Sequence, residues 1–327
     1  MTPIVAYCME WHLTGSDAFR KILVEALADE VEVVLRPWDG ERLEEALRPD
    51  EPTIFCQMPP PASVLRQPSG RVVWIPMWDQ IRIRGEGWWQ SLPSWLRVVA
   101  FSSEVARWAR AAELPTLRLR YFANPSEALA ARWDEGRIVS YWNRTGMIGP
   151  RFLEKLCAAI GARELIFRGR IDPFISAEAA YSLPGRVGGA AVMRIDSDAR
   201  DDFIQATERA NVVVAPRITE GVGLILLEAM ARGCCVIAYD GPTMNEYVIS
   251  GRNGILLRNP RWSRVVFNRR WSRPDEYALT HHRRWRRVGS LDLRELGDRA
   301  RSEHAEGHRE WLASLSGYRD FVLGNAG

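Results

Sequence analysis

Short apolar runs alternate with amphipathic stretches through the first third of the chain. IVAYCM (4–9), VEVVLR (31–36), TIFCQ (53–57), VVWIPM (72–77) and RVVAFS (97–102) read as strands. Between them, SDAFRKILVEALAD, ERLEEALR and SSEVARWARAAEL carry apolar residues at helical spacing, and Ser103 before Glu104 marks a helix start. Near-continuous apolar strands alternating with helices predict a parallel sheet covered on both faces. The pattern loosens through TLRLRYFANP and SEALAARWDEGR, so an interdomain connection is expected at about 124–136. The alternation then restarts. RIVSYW (137–142), ELIFRG, AAVMRI, NVVVAP and CCVIAY read as strands, with helices over PRFLEKLCAAIGA, ARDDFIQATERA and LILLEAMARG. Pro150 stands in the first turn of the first of these helices and Gly233 just past the last. The fold class expected is α/β, with two doubly wound domains whose ligands would sit at the carboxyl ends of the strands. LRELGDRARSEHAEGHREWLASLSGYRDFVL reads as a closing helix.

Composition narrows the function classes. At 327 residues with 46% apolar and 26% charged residues, the chain suits a two-domain soluble protein. It has no apolar run long enough to span a bilayer, and no secretory leader is expected in MTPIVAYCMEWHLTG. Cys8, Cys56, Cys157, Cys234 and Cys235 lie in apolar segments without CxxC spacing and read as buried free thiols of a reducing compartment. A net charge of +3 dictates no partner by itself. Lys occurs only at Lys21 and Lys155, so nearly every cation is Arg.

The stretch RITEGVGLILLEAMARGCCVIAYD (217–240) concentrates the candidate chemistry. It is the turn after the strand NVVVAP, then a helix, then the next strand. The Gly221-Val222-Gly223 backbone allows close approach of a ligand, and free N–H groups where the helix starts at Leu224 attract phosphate. Glu220 lies at the mouth of the turn. Glu228 stands among helix neighbours that are apolar all round, a setting expected to bury it with a partner. Two carboxylates so placed could hold sugar rings on either side of a diphosphate.

EGVGLILLEAMARGCCVIAYDGPTMNEYVISGRNGIL closely resembles the donor-site signature of retaining group 1 glycosyltransferases of the GT-B fold. Glu220 and Glu228 match the family's E-x7-E pair, with Val222 in place of an aromatic residue and Cys235 in place of Pro. The resemblance implies that Glu220 contacts the donor sugar and Glu228 the ribose. SYWNRTGMIGPRFLEKL resembles the family's diphosphate-binding segment, with Asn143 replacing its Gly. Arg144 matches the first cation. Arg151 is the nearest residue to the second, with Lys155 one turn later as the alternative. Fixed cations that stabilise a leaving diphosphate remove the need for a metal. The DSD at 196–198 resembles a metal motif but opens a helix, where N-capping is expected. Gly169, the last residue of ELIFRG, is read as a further nucleotide-contacting position. Gly15 and Ser16 stand where the family has a glycine-rich loop, and Trp78 and Asp79 stand where relatives place a His, so Asp79 is the candidate to orient an acceptor hydroxyl.

The resemblance implies Rossmann-like domains over 1–130 and 131–310 facing a cleft, with a C-terminal helix over 311–327 crossing back to the first domain. It also implies transfer of a hexose to a hydroxyl of a glycan or lipid-linked glycan. The nucleoside diphosphate sugar, UDP- or GDP-linked, would be the co-substrate, with no separate cofactor and no metal. Other readings are transfer to nucleic acid or a small acceptor, sugar-nucleotide epimerisation, and a non-catalytic nucleotide-sugar-binding subunit. Residues 258–289 hold ten Arg and three Trp, a composition suited to an anionic membrane surface and, second to it, to nucleic acid. The expected location is cytoplasmic, peripheral at the inner face of the membrane.

Overall fold

A computed structural model describes residues 3–13, 26–27, 31–38, 52–66, 71–144, 148–171, 180–196, 200–215, 217, 219–257 and 282–324. Every apolar run read above as a strand forms one. The expected helices over 16–29 and 41–48 lie outside the described residues, except Ala26 and Leu27, which are buried. The chain divides into two compact units. One comprises Met1–Ala123, Thr219–Leu224 and Glu306–Gly327, and the other Asn124–Ile218 and Ile225–Ala305.

The first unit is built on β1 (Ile4–Cys8), β2 (Val33–Pro37), β3 (Thr53–Gln57), β4 (Val72–Pro76), β5 (Arg97–Ala100) and β6 (Thr116–Arg118). They pair in parallel in the order β2-β1-β3-β4-β5-β6. β4 is buried at every position, as a central parallel strand must be when both faces are covered. Trp74 of β4 is fully buried and packs its ring 5.6 Å from that of Trp89. Helix α1 (Ser103–Ala111) starts one residue earlier than its sequence suggests. Its cap is Ser102, whose hydroxyl accepts from the Val105 N–H at 3.2 Å. Residues 116–118, which lie before the expected connection and carried no assigned element, form the edge strand β6.

The second unit opens with β7 (Ile138–Trp142), α2 (Pro150–Ile160), β8 (Glu164–Arg168), β9 (Arg186–Val187), β10 (Ala190–Arg194) and α3 (Arg200–Thr207). It continues through β11 (Val212–Val214), α4 (Leu224–Arg232), β12 (Cys235–Tyr239), β13 (Ile255–Leu257) and α5 (His282–Gly289) to α6 (Leu293–Leu323). The strand order is β13-β12-β11-β7-β8-β10-β9, parallel except for the β9–β10 hairpin. Taking the six parallel strands alone, this is the Rossmann order, with its switch point between β7 and β11.

Buried Asn211 locks that centre. Its carboxamide oxygen accepts from the Ile138 N–H at 2.9 Å, and its NH2 donates to the carbonyls of Arg132 and Gly136, both at 2.7 Å. Helix α4 ends at Gly233, φ +81, where the Gly233 and Cys234 N–H groups bond back to the Met230 and Ala229 carbonyls. A single helix, α6, closes the chain. Its residues to Ala305 belong to the second unit and those from Glu306 to the first, where Trp311 packs against Phe101 and Tyr121.

Two outcomes test this packing. Gly297 of α6 lies against the Gly233 carbonyl, so a methyl group there would overlap backbone, which has no rotamer to yield. Gly297→Ala is expected to cost about 1–3 kcal/mol, seen as a lower melting temperature; an unchanged melting point would contradict the close crossing. All five cysteines are buried thiols outside any disulfide. Burial pushes Cys157 up to about 12 and Cys234 up to about 11, against an ordinary 9.0. The fold keeps these protons while the unfolded chain loses them, so stability should fall as pH rises from about 9 to 12. A thiol reagent should find no reactive group in the native protein and all five after denaturation; fast native labelling would refute the burial.

Candidate functional site

In the second unit, the carboxyl ends of β7, β8, β11 and β12 carry the residues singled out from sequence. β7 ends at Trp142, followed by Asn143 and Arg144. The half-buried Arg144 carries its guanidinium carbon 5.1 Å from the centre of the Trp142 ring. Arg168, the last residue of β8, is 3% exposed and lies over the same indole at 4.5 Å. Two guanidiniums thus lie over one indole ring, each attracted by its quadrupole. The indole N–H donates to the Arg170 carbonyl at 2.8 Å, which fixes the ring in its plane.

Asn143 is buried and ties the two strand ends together, its N–H donating to the Arg168 carbonyl at 2.9 Å. Its side-chain oxygen accepts from the Tyr141 hydroxyl at 3.1 Å. That hydroxyl lies 3.4 Å from the Ile148 carbonyl, to which the Tyr181 hydroxyl also donates. The segment bearing Arg144 is therefore held by two phenols just before α2 begins. A Gly at 143 would lack the side-chain part of this clamp, so the departure from the family's pattern has a structural use.

Helix α2 has Gly149 as its N-cap with no side-chain cap, leaving the first-turn N–H groups to other partners. Arg151 and Lys155 both lie exposed on it, four residues apart on one side. Gly169, after β8, is half-buried; a Cβ there would meet the Phe167 ring at 3.3 Å.

The turn after β11 bears Glu220, half-buried, then half-buried Gly221, buried Val222, and Gly223 at φ +82, before Leu224 starts α4. A positive φ is costly for any residue with a Cβ, so Gly223 is required there. Residues Thr219–Leu224 count with the first unit, and a Cβ on Gly221 would lie 2.8 Å from the Met77 sulfur and 3.0 Å from its Cβ. Met77 ends the β4 segment and leads into the short helix Trp78–Ile81, in whose first turn Asp79 sits half-buried. The structure thus sets the Glu220 turn against the residue two before Asp79.

Glu228 departs from its expectation. It is exposed, because α4 buries Leu226, Leu227, Ala229, Met230 and Ala231 and turns position 228 outward. The all-apolar neighbourhood in the sequence described its flanks and not its own face. Gly15 and Asp198 lie outside the described residues. Among the described residues, no group of His, Cys, Asp and Glu side chains is placed to hold a metal ion.

Sequence reasoning missed two features of this edge. Arg168 ends a buried strand, and its pairing with Trp142 is invisible until β7 and β8 are known to be neighbours. Thr243, fully buried in the turn after β12, has φ 77 and ψ −58. A β-branched residue at positive φ is strained by about 1–3 kcal/mol, and such strain gathers at functional sites. Only an unusual Thr in a Gly-Pro-Thr turn could have hinted at it.

The comparisons with known proteins agree with this geometry. Residues 189–266 match the family model "Glycosyl transferases group 1". No curated protein matches the chain. Among solved structures it is similar to sucrose-phosphate synthase of Thermosynechococcus elongatus, at 16% identity over all of both chains and a TM-score of 0.64. WaaG, a glycosyltransferase involved in lipopolysaccharide biosynthesis, shares 13% identity over 98% of this chain and all of its own, with a TM-score of 0.61. Anabaena HepE, solved with UDP and glucose, shares 13% over 97% of this chain and all of its own, with a TM-score of 0.56. Residues 189–266 therefore belong to the group 1 glycosyltransferase family, and they sit in a chain whose fold is GT-B over its whole length.

Proposed function

We propose that the protein is a retaining, metal-independent hexosyltransferase. It moves a hexose from a nucleoside diphosphate sugar to a hydroxyl of a glycan or lipid-linked glycan. The observation that carries this reading is the family match over 189–266, which contains both Glu220 and Glu228. Arg144 at the switch-point strand supports it, because a diphosphate leaving group needs a fixed cation and the Trp142 ring fixes this one. UDP is the favoured nucleotide, since HepE was solved with UDP and with UDP-glucose, and GDP is the alternative.

In this reading Glu220 accepts hydrogen bonds from the donor hexose and Glu228 from the ribose. Glu228 is exposed, so its carboxylate is open to a ligand's hydroxyls. Arg144, with Arg151 or Lys155, neutralises the diphosphate. Gly221, Val222, Gly223 and Leu224 offer the backbone approach, and Gly169 lines the nucleotide. Asp79 orients the acceptor hydroxyl. The anomeric carbon–oxygen bond to the diphosphate breaks, the acceptor oxygen bonds to that carbon on the same face, and its proton passes to the departing diphosphate. The protein would act in the cytoplasm, at the inner face of the membrane.

A thermal-shift panel of nucleosides, nucleoside diphosphates and their sugars tests the donor half. One diphosphate should raise the melting temperature, as ligand at a hundred times its Kd adds about 2.7 kcal/mol. Glu228→Ala should weaken that ligand at least tenfold, since losing a hydrogen bond to a charged group costs about 1.5–3 kcal/mol. Stabilisation by no nucleotide would overturn the reading, and unchanged affinity in the variant would overturn the ribose assignment.

A further inference from the structure

The donor reading leaves unused the part of the basic, aromatic stretch that the structure describes, residues 282–289. They form α5, whose described side chains fall on two faces. Trp285, Val288 and Gly289 face inward. The indole of Trp285 packs edge-on against Phe152 of α2, ring centres 5.3 Å apart, and a methyl on Gly289 would overlap the Ala159 carbonyl. Arg283, Arg286 and Arg287 are exposed. Their i, i+3, i+4 spacing puts all three on one outward arc, opposite the docked face. No acidic residue occurs in the helix, and none of the three makes an ion pair among the described residues. Like charges so spaced repel, by roughly 0.2–0.5 kcal/mol per pair.

We propose that this arc docks the protein on an anionic phospholipid surface. A one-sided row of guanidiniums on a helix anchored from behind matches a plane of phosphates. Trp285, the one aromatic residue of this helix, is turned inward against Phe152, so the helix itself offers no base-stacking platform. The same burial sets the mode of binding. Trp285 cannot enter the bilayer while it is docked on α2, so attachment is electrostatic and sensitive to salt. This proposal does not depend on the donor chemistry.

The test is co-sedimentation of the full chain with vesicles of phosphatidylcholine alone and of phosphatidylcholine mixed with phosphatidylglycerol. Binding is expected only to the mixed vesicles, and it should weaken as salt is raised. Replacing Arg283, Arg286 and Arg287 together by Glu should cut the partition by about a hundredfold, at about 1 kcal/mol per cation near the surface. The triple Gln variant should cut it in the same direction and serves if charge reversal disturbs the fold. Equal binding to neutral vesicles, no binding to either kind, or unchanged binding by the variants would overturn the proposal. Retention by a single-stranded oligonucleotide in place of anionic vesicles would do the same.

Discussion

The buried carboxamide of Asn211 bonds three backbone groups at once, on Arg132, Gly136 and Ile138. It thereby fixes where β7 begins relative to β11. In a parallel sheet covered on both faces, the faces accept only apolar side chains, and polar chemistry is confined to the carboxyl edge. A strand displaced by one residue would turn its apolar set to the wrong side and carry Arg144 away from that edge. The amide network at the amino end of β7 therefore governs the geometry of the cation at its far end. Losing it would expose several buried backbone groups at once, each costly without a partner.

The two guanidiniums on Trp142 give that edge its electrostatic character. Each alone gains about 0.5–2 kcal/mol from the ring. Together they form a concentrated positive charge beside the switch point, partly shielded from water by the burial of Arg168.

Much of the fold was legible because its central strands are uniformly apolar, and a four- to six-residue run of Val, Ile and Cys has few other uses. The edges were less legible. β6 and β13 each span three residues, too few for any period to register. The start of α1 was misplaced by one residue, since two adjacent serines offer the same hydroxyl and only the extended backbone of Ser102 decides between them. The candidate site divides in the same way. Glu220 and Gly223 stood out as candidates from the turn they share, and Arg144 from the resemblance of its segment to the family's pattern. The outward turn of Glu228 depended on which side of α4 meets the sheet. Arg168 and Thr243 depended on neighbours distant in sequence or on a backbone angle that no residue type announces.

The bond between Ile138 and Asn211 also has a consequence in time. The two residues stand 73 positions apart, and the strand pairing it seals cannot form until the intervening chain has been made and gathered. Closing a loop of that length costs about 4 kcal/mol in chain entropy before any contact is returned. β7 can meet β8 much sooner, across a single helix, so one flank of β7 zips early while the other waits as an open strand edge. Folding of the second unit is then paced by the arrival of β11. Until it arrives, that edge is the part of the molecule most exposed to pairing with another chain.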